Sequence, residues 1–429
     1  MKKDFVIKGH IIWSDSLKHL NAIPHGYLVC EGGLCTGVFR ALPDRYAHLP
    51  LKDYGGHLIM PAVYDLHLHA PQLAYCGMGM DLELIDWLNA YAFPEEAKFA
   101  DLDYARRAYT VFADTLRSSY TARFCCFATM HAPATLLLAE LLEASGLRGY
   151  VGKVSMDRNA PADLCEPSAE AAARDCEQWI VDMQARFTNI KPMLTPRFIP
   201  SCSDALMERL HKLADKYGVP AQSHLSENHD EIAWVKALCP TSKNYASVYD
   251  HFGMLSANAV MAHVVYPQDE EITLLKQRRT MVAHCPASNT NLRSGIAPVR
   301  RLLSAGVRVG LGSDVAGGES IDMLRAAAEA IQASKLYWRL IDQAAPALTF
   351  PEVFYMATKG GGSFFGKAGS FEPGYMLDAL VLDDRALRTT CDLTLPQRLE
   401  RALYRSAEIK LTQKYVDGTP LFEEPVTKP

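Results

Sequence analysis

The stretch LIMPAVYDLHLH, residues 58–69, brings an apolar run to an end on His67 and His69. Read as a β-strand, its period of two sends both histidines to the same face. Seven further stretches repeat the pattern: YTARFCCFAT (120–129), RGYVGKVSMD (148–157), NIKPMLTPRF (189–198), VPAQSHLSE (219–227), NAVMAHVVY (258–266), RTMVAHCPAS (279–288) and VRVGLGSDV (307–315). Each is a short apolar or β-branched run followed by a longer segment with helical spacing, the βα alternation of a parallel sheet. Eight such strands close a barrel. One outer helix is delimited by its ends: SDALMERLHKLADKYG starts on a capping Ser203 or Asp204 and stops at Gly218.

Outside this repeat the chain changes character. FVIKGHIIWS and GYLVCEGGLCTGVF near the start, and YMLDALVLDD and YVDGTPLFEE near the end, read as strands joined by turns. The expected class is therefore α/β: a (β/α)8 TIM-like barrel over residues 58–370, with a small β-sandwich domain built from residues 1–57 and 371–429.

Composition narrows the function. The 429 residues are 49% hydrophobic and 22% charged, an ordinary globular balance, and 44 Lys+Arg against 49 Asp+Glu leave a net charge of −5. The basic residues form no run, so nucleic acid is not an expected partner. The apolar stretches are too short or too interrupted for a signal segment or a spanning helix, and no membrane partner is expected. Eleven cysteines, none at a C-x-x-C spacing, argue against a disulfide framework and a thiolate zinc site. A cytoplasmic protein is the expectation, with a homodimer as the commonest assembly.

The polar residues of the eight strands gather at one end. His67 and His69, Asp157, Arg197, His224, His263, His284 and Asp314 stand at or near the C-terminal ends of their strands, where barrel loops converge on a common mouth. His67 and His69 can chelate one ion, and His224 with Asp314 completes a set of three imidazoles and a carboxylate. That set suits one Zn2+ per chain, or alternatively Fe2+. Glu227 follows His224 by three residues, beyond the strand end, where a proton shuttle is needed. Taken alone, Glu227 also reads as a solvated loop carboxylate or as a partner of the helix cap near Asn228, and His263 as a hydrogen-bonded core histidine.

Longer motifs carry a resemblance. MPAVYDLHLHAPQ, SHLSENHDE, MAH, AHCPASN and LGSDVAGG, in this order, resemble the amidohydrolase superfamily. Within it, HAPQ after the histidine pair, LIDWLNAYAFPEEAKF, TPRFIPSCS and NYASVYDHFGMLSANAVMAH are similar to the guanine deaminase family, from Met60 to about Gly366. The resemblance implies a metal on His67, His69, His224 and Asp314, with Glu227, His263 and Asp314 in catalysis. It also implies a purine held by Gln72, Arg197 and Phe198, with His224, Glu227, His263 and Asp314 lining the same pocket. The guanidinium of Arg197 matches the O6 and N7 acceptors of guanine, and Phe198 offers a flat wall. Taken singly, Arg197 reads as a surface ion pair, Gln72 as a loop hydrogen bond and Phe198 as barrel packing. Pro61-Ala62 and Val264-Val265 depart mildly from the family pattern, and Pro196-Arg197 stands where binuclear relatives carry a bridging lysine. A mononuclear site follows, with Lys153, His131 and His284 read as structural.

The implied reaction is the attack of a metal-activated hydroxide on C2 of guanine, giving xanthine and ammonia. The signature of the cytidine-type zinc deaminases is absent. Two other readings stand beside it: a deaminase or chlorohydrolase of the same barrel acting on cytosine, a pterin or a triazine, and a non-catalytic scaffold that has kept the fold.

Overall fold

The computed structural model describes residues 4–422. Eight parallel stretches form the barrel. Val63–His69, Thr121–Phe127, Arg148–Gly152 and Ile190–Pro192 pair in that order, as do Ala221–Leu225, Ala259–His263, Met281–His284 and Arg308–Leu311. Two backbone bonds at Leu194, to Pro220 and from Gln222, join the halves on one side. On the other, Asp314 N–H donates to His67 C=O at 2.8 Å and His69 N–H to Val315 C=O at 3.0 Å. The third and fourth strands resume as the short pair Val154–Ser155 and Thr195–Pro196, which carries the chain to Arg197 at the mouth.

The sandwich unit is one curled sheet. Its strands run in the order Thr419–Pro420, Lys410–Val416, Ala379–Asp383, Leu51–Pro61, Phe5–Ser16, His19–Glu31 and Leu34–Phe39, so both ends of the chain meet in it. Phe5 and Tyr415 lie on strands separated by two others, yet their rings stack at 5.3 Å, because the sheet folds over a core that includes Ile7, Leu28, Ile59 and Leu377. Residues 1–3 and 423–429 of the expected sandwich segments, with Glu423 and Glu424 of YVDGTPLFEE, lie outside the described residues.

Two expectations about elements need correction. The strand read as 58–69 divides at Ala62: Leu51–Pro61 belongs to the curled sheet and pairs with Ala379–Leu382, whereas Val63–His69 opens the barrel. The apolar run is continuous across the break because both halves are buried, so hydropathy alone does not mark it. The C-terminal segment, read as strands, also holds the helix Leu395–Tyr404, closed by a Thr394/Gln397 capping box. The helix Asp204–Tyr217 begins and ends as its sequence suggests, with Ser203 accepting from Leu206 N–H and Gly218 in the left-handed region at φ 62°.

Candidate active site

Strand ends supply the site, and the backbone there leaves extended geometry. Ser226, His263, Val264 and Asp314 all have positive φ, at 50°, 72°, 49° and 48°. Non-glycine residues seldom adopt this region, and they persist in it where the surrounding structure imposes it. Asp65 is one such support: its carboxylate accepts from the backbone N–H of His67 at 3.2 Å, from that of Ser313 at 3.0 Å and from Ser313 Oγ at 2.5 Å. The first and eighth strands are thereby tied together just beside His67 and Asp314.

Four side chains converge on one point. His67 Nε2 and His69 Nε2 lie 3.3 Å apart, as do His69 Nε2 and His224 Nε2. Asp314 Oδ1 stands 3.2 Å from His67 Nε2 and 3.4 Å from His69 Nε2. A tetrahedral ion with bonds of about 2.0–2.1 Å places its ligand atoms roughly 3.3–3.4 Å apart, so the spacing of these atoms fits a bound metal. Hydrogen bonding fixes one tautomer: His224 Nδ1 donates to Arg197 C=O at 2.7 Å, leaving the Nε2 lone pair on the common point. Two overlapping groups, His67/His69/His224 and His67/His263/Asp314, each hold their donor atoms within 4.8 Å of one another.

His263 and Glu227 stand next to this cluster. His263 Nδ1 donates to Asn289 Oδ1 at 2.9 Å, while its Nε2 lies 3.3 Å from Glu227 Oε2 and 3.7 Å from Asp314 Oδ2 and forms no hydrogen bond. Glu227 accepts from Ser294 Oγ at 3.1 Å. The cap of the following helix is made by Asn228 and Glu231, not by Glu227, whose side chain lines the pocket instead. Burial, reinforced by the charge of Asp314, pushes the Glu227 carboxyl up to about 8. Burial acts on Asp314 in the same direction, but the imidazoles of His67, His69 and His263 outweigh it and hold that carboxyl well below its ordinary range. Burial lowers His69 to about 4 and drives His224 well below the usual imidazole value.

The pocket beside the cluster spans about 440 Å³ of empty space, its open mouth included. Gln72, Arg197 and Phe198 line it together with His69, His224, Glu227, His263 and Asp314. Arg197 is paired, but inside the wall and not at the surface: its terminal nitrogens reach Glu96 at 2.7 and 3.1 Å, and Phe93 lies under the guanidinium at 5.0 Å. Gln72 Nε2 donates to Glu96 Oε1 at 3.0 Å.

Other strand-end residues are not in the pocket. Asp157 accepts from Ser203 N–H at 2.6 Å, a structural use. Lys153 is buried against Glu166 at 2.6 Å and Asp175 at 3.1 Å. His131 Nε2 and His284 Nδ1 are buried without a hydrogen bond, and burial lowers His284 to about 3. Leu84, Trp87, Leu88 and Glu96 carry no role in the sequence reading, although all lie within the quoted LIDWLNAYAFPEEAKF. The first three are wall residues of the pocket, set on Leu84–Trp87 and a π-helical turn at Leu88–Ala92. Asn289 and Glu231 close the quoted AHCPASN and SHLSENHDE without a role being read from them, and Ser294 lies outside every quoted motif.

Residues 58–414 match the model of the amidohydrolase family, and the chain belongs to that family. The chain is similar to guanine deaminase of Rattus norvegicus, 41% identical over 383 residues, 86% of this chain and 84% of the relative. It is also similar to guanine deaminase of Escherichia coli (strain K12), 32% identical over 394 residues, 89% of this chain and 86% of the relative. A crystal structure of guanine deaminase from C. acetobutylicum with guanine bound in the active site superposes with a TM-score of 0.95 at 43% identity, covering 98% of this chain and 100% of that one. Within the family, the chain stands among the guanine deaminases.

Proposed function

We propose that this protein hydrolyses guanine at C2 to xanthine and ammonia. The observation that carries the reading is the convergence, on one pocket, of a four-ligand cluster, the buried carboxyl of Glu227 and the polar pair Gln72 and Arg197.

His67, His69, His224 and Asp314 would hold the ion, for which we take zinc, with iron as the alternative. Such an ion acts as a Lewis acid that brings the pKa of water to near neutrality. The residues of the chain then move the protons. Asp314, ionised, accepts a proton from the attacking water, and Glu227, protonated, gives its proton to N3 as oxygen bonds to C2. Asp314 returns its proton to the exocyclic amine, the C2–N bond breaks, and Glu227 takes the hydroxyl proton as the carbonyl forms. Both carboxyls end as they began, and the net change is guanine plus water to xanthine plus ammonia. His263, held by Asn289, faces the developing charge. Gln72 and the unshared N–H groups of Arg197 meet the purine edge, and Phe198 meets its face.

The same reading takes residues 58–370 as the catalytic unit and residues 1–57 with 371–429 as the accessory sheet. It takes the protein as a cytoplasmic homodimer; the free state of all eleven cysteines fits a reducing compartment, and no helix among the described residues is long and apolar enough to cross a membrane. Ammonia release and xanthine formation from guanine, read with the metal content of the same preparation, test the reading. Turnover of cytosine or a triazine exceeding that of guanine would overturn it.

A further inference from the structure

We infer that Glu96 is a positioning and selectivity residue: by pairing Arg197 inside the pocket wall, it suits the site to a neutral aminopurine and against the more acidic dioxopurine that the reaction produces. The inference rests on the guanine-to-xanthine reading.

Arg197 is the one lysine or arginine among the residues lining the pocket. Glu96, 1% exposed, takes a hydrogen bond from each terminal nitrogen of that guanidinium and a third from Gln72 Nε2. A single carboxylate thus sets both polar side chains that meet the base. It lies on the five-residue helix Phe93–Ala97, far in sequence from both partners. Each terminal nitrogen of Arg197 keeps one N–H for a ligand, and Nε keeps another, so donors remain for a neutral carbonyl and ring nitrogen.

The charge consequence is separate from the geometry. A buried guanidinium without a partner attracts anions strongly in a low-dielectric wall. Paired with Glu96 it remains a cationic donor, but the pair as a whole carries no net charge. Guanine is neutral when it enters. Deamination exchanges an amine for a carbonyl, and the resulting ring, with N–H groups between carbonyls, gives up a proton more readily. An unpaired Arg197 would hold that anion and slow its departure. The other charged or titratable residues lining the pocket, His69, His224, Glu227, Glu231, His263 and Asp314, are unchanged by a substitution at Glu96, and Phe93 covers the guanidinium face.

The test compares xanthine with hypoxanthine, a neutral purine that shares the O6 and N7 edge and has no amine to lose. Inhibition constants and calorimetric affinities for both are measured at mildly alkaline pH on wild type and Glu96→Gln. The amide keeps an acceptor for Arg197 but removes the charge. The expected result is a shift of about tenfold toward xanthine in the xanthine-to-hypoxanthine ratio, together with a higher KM for guanine and a smaller change in kcat. A second substitution, Arg197→Gln on the same background, should abolish the shift. A purely structural Glu96 would weaken both ligands alike, and an unchanged ratio in Glu96→Gln overturns the inference. If that variant does not fold, Glu96→Asp keeps the charge and should raise KM with the ratio unaltered, and a shifted ratio there overturns it equally. Calorimetry needs no turnover, so a wild type that releases no ammonia would defeat the proposed reaction while the ratio still reports on Glu96.

Discussion

Glu227 and Asp314 are both buried carboxylates within reach of His263, and their surroundings drive them in opposite directions. One is raised and protonated near neutrality, and the other is held ionised by three imidazoles. Groups whose environments separate in this way divide naturally into an acid and a base. Glu227→Gln should keep its metal and lose at least ~10²-fold in kcat, since an amide bonds a ring nitrogen but carries no proton to it; metal analysis beside steady-state kinetics checks both halves. The pH profile carries a sign as well. Glu227 acts in its protonated form, so turnover should decline as pH rises through about 8, the value to which burial lifts it; a flat profile across that range would remove Glu227 from the acid role. His67→Ala and Asp314→Ala each take one of four ligands from the ion, and both variants should emerge with little metal and little activity. Either one purified with a full complement of metal is not altered at a ligand. These residues were legible in the chain because barrel chemistry sits at strand ends, where His67, His69, His224 and Asp314 could be aligned without coordinates. Glu96 was not, for its meaning lies entirely in what folds against it.

Among the elements, the helix Leu102–Ser118 shows how the curled sheet grips the barrel. Lys414, on the strand Lys410–Val416, is buried and donates to the carbonyls of Leu116, Ser119 and Thr121 at 3.4, 2.9 and 2.8 Å. Only Leu116 belongs to the helix, and its carbonyl also accepts from Ser119, whereas Ser119 and Thr121 lie just beyond it, so this ammonium ties the helix end and the strand after it to the sheet. Lys414→Met should lower stability by about 1–3 kcal/mol, because buried acceptors lose their donor. Burial also holds the Lys414 ammonium well below its usual 10.5, so the unfolded chain binds that proton more tightly. The contribution of Lys414 therefore grows as pH rises toward the ordinary lysine value, and the melting temperatures of the two proteins should diverge in that direction. Element boundaries repeat the lesson. Ser203 and Gly218 announce the ends of their helix by local chemistry, whereas the break at Ala62 arises only from a change of sheet, which no local signal records.

At the scale of the molecule, the barrel floor and the sheet are joined by a buried ionic network. Arg123 contacts Asp378 at 2.6 and 3.1 Å and Asp417 at 2.6 Å, Arg148 reaches Asp417 at 2.8 Å, and Tyr64 donates to Asp378 at 2.9 Å. Tyr64, Arg123 and Arg148 stand within the first three residues of their barrel strands, at the opposite end from the metal ligands, so the cluster bears on stability and not on chemistry. Asp378→Ala leaves Arg123 with a weakened partnership in a buried setting and should destabilise by about 3–5 kcal/mol. Thermal unfolding measures this, and kcat per folded molecule should be unchanged. The division at Ala62 has a further consequence for how the molecule is made. The strand Leu51–Pro61 runs straight into the strand bearing His67 and His69, but its neighbour on one side, Ala379–Asp383, emerges from the ribosome only after the whole barrel has been synthesised. Until then the nascent chain displays an open, apolar strand edge beside half of its metal ligands, the kind of edge that invites pairing with other chains. Ala379–Asp383 covers that edge, and Lys410–Val416, made later still, then pairs along its far side.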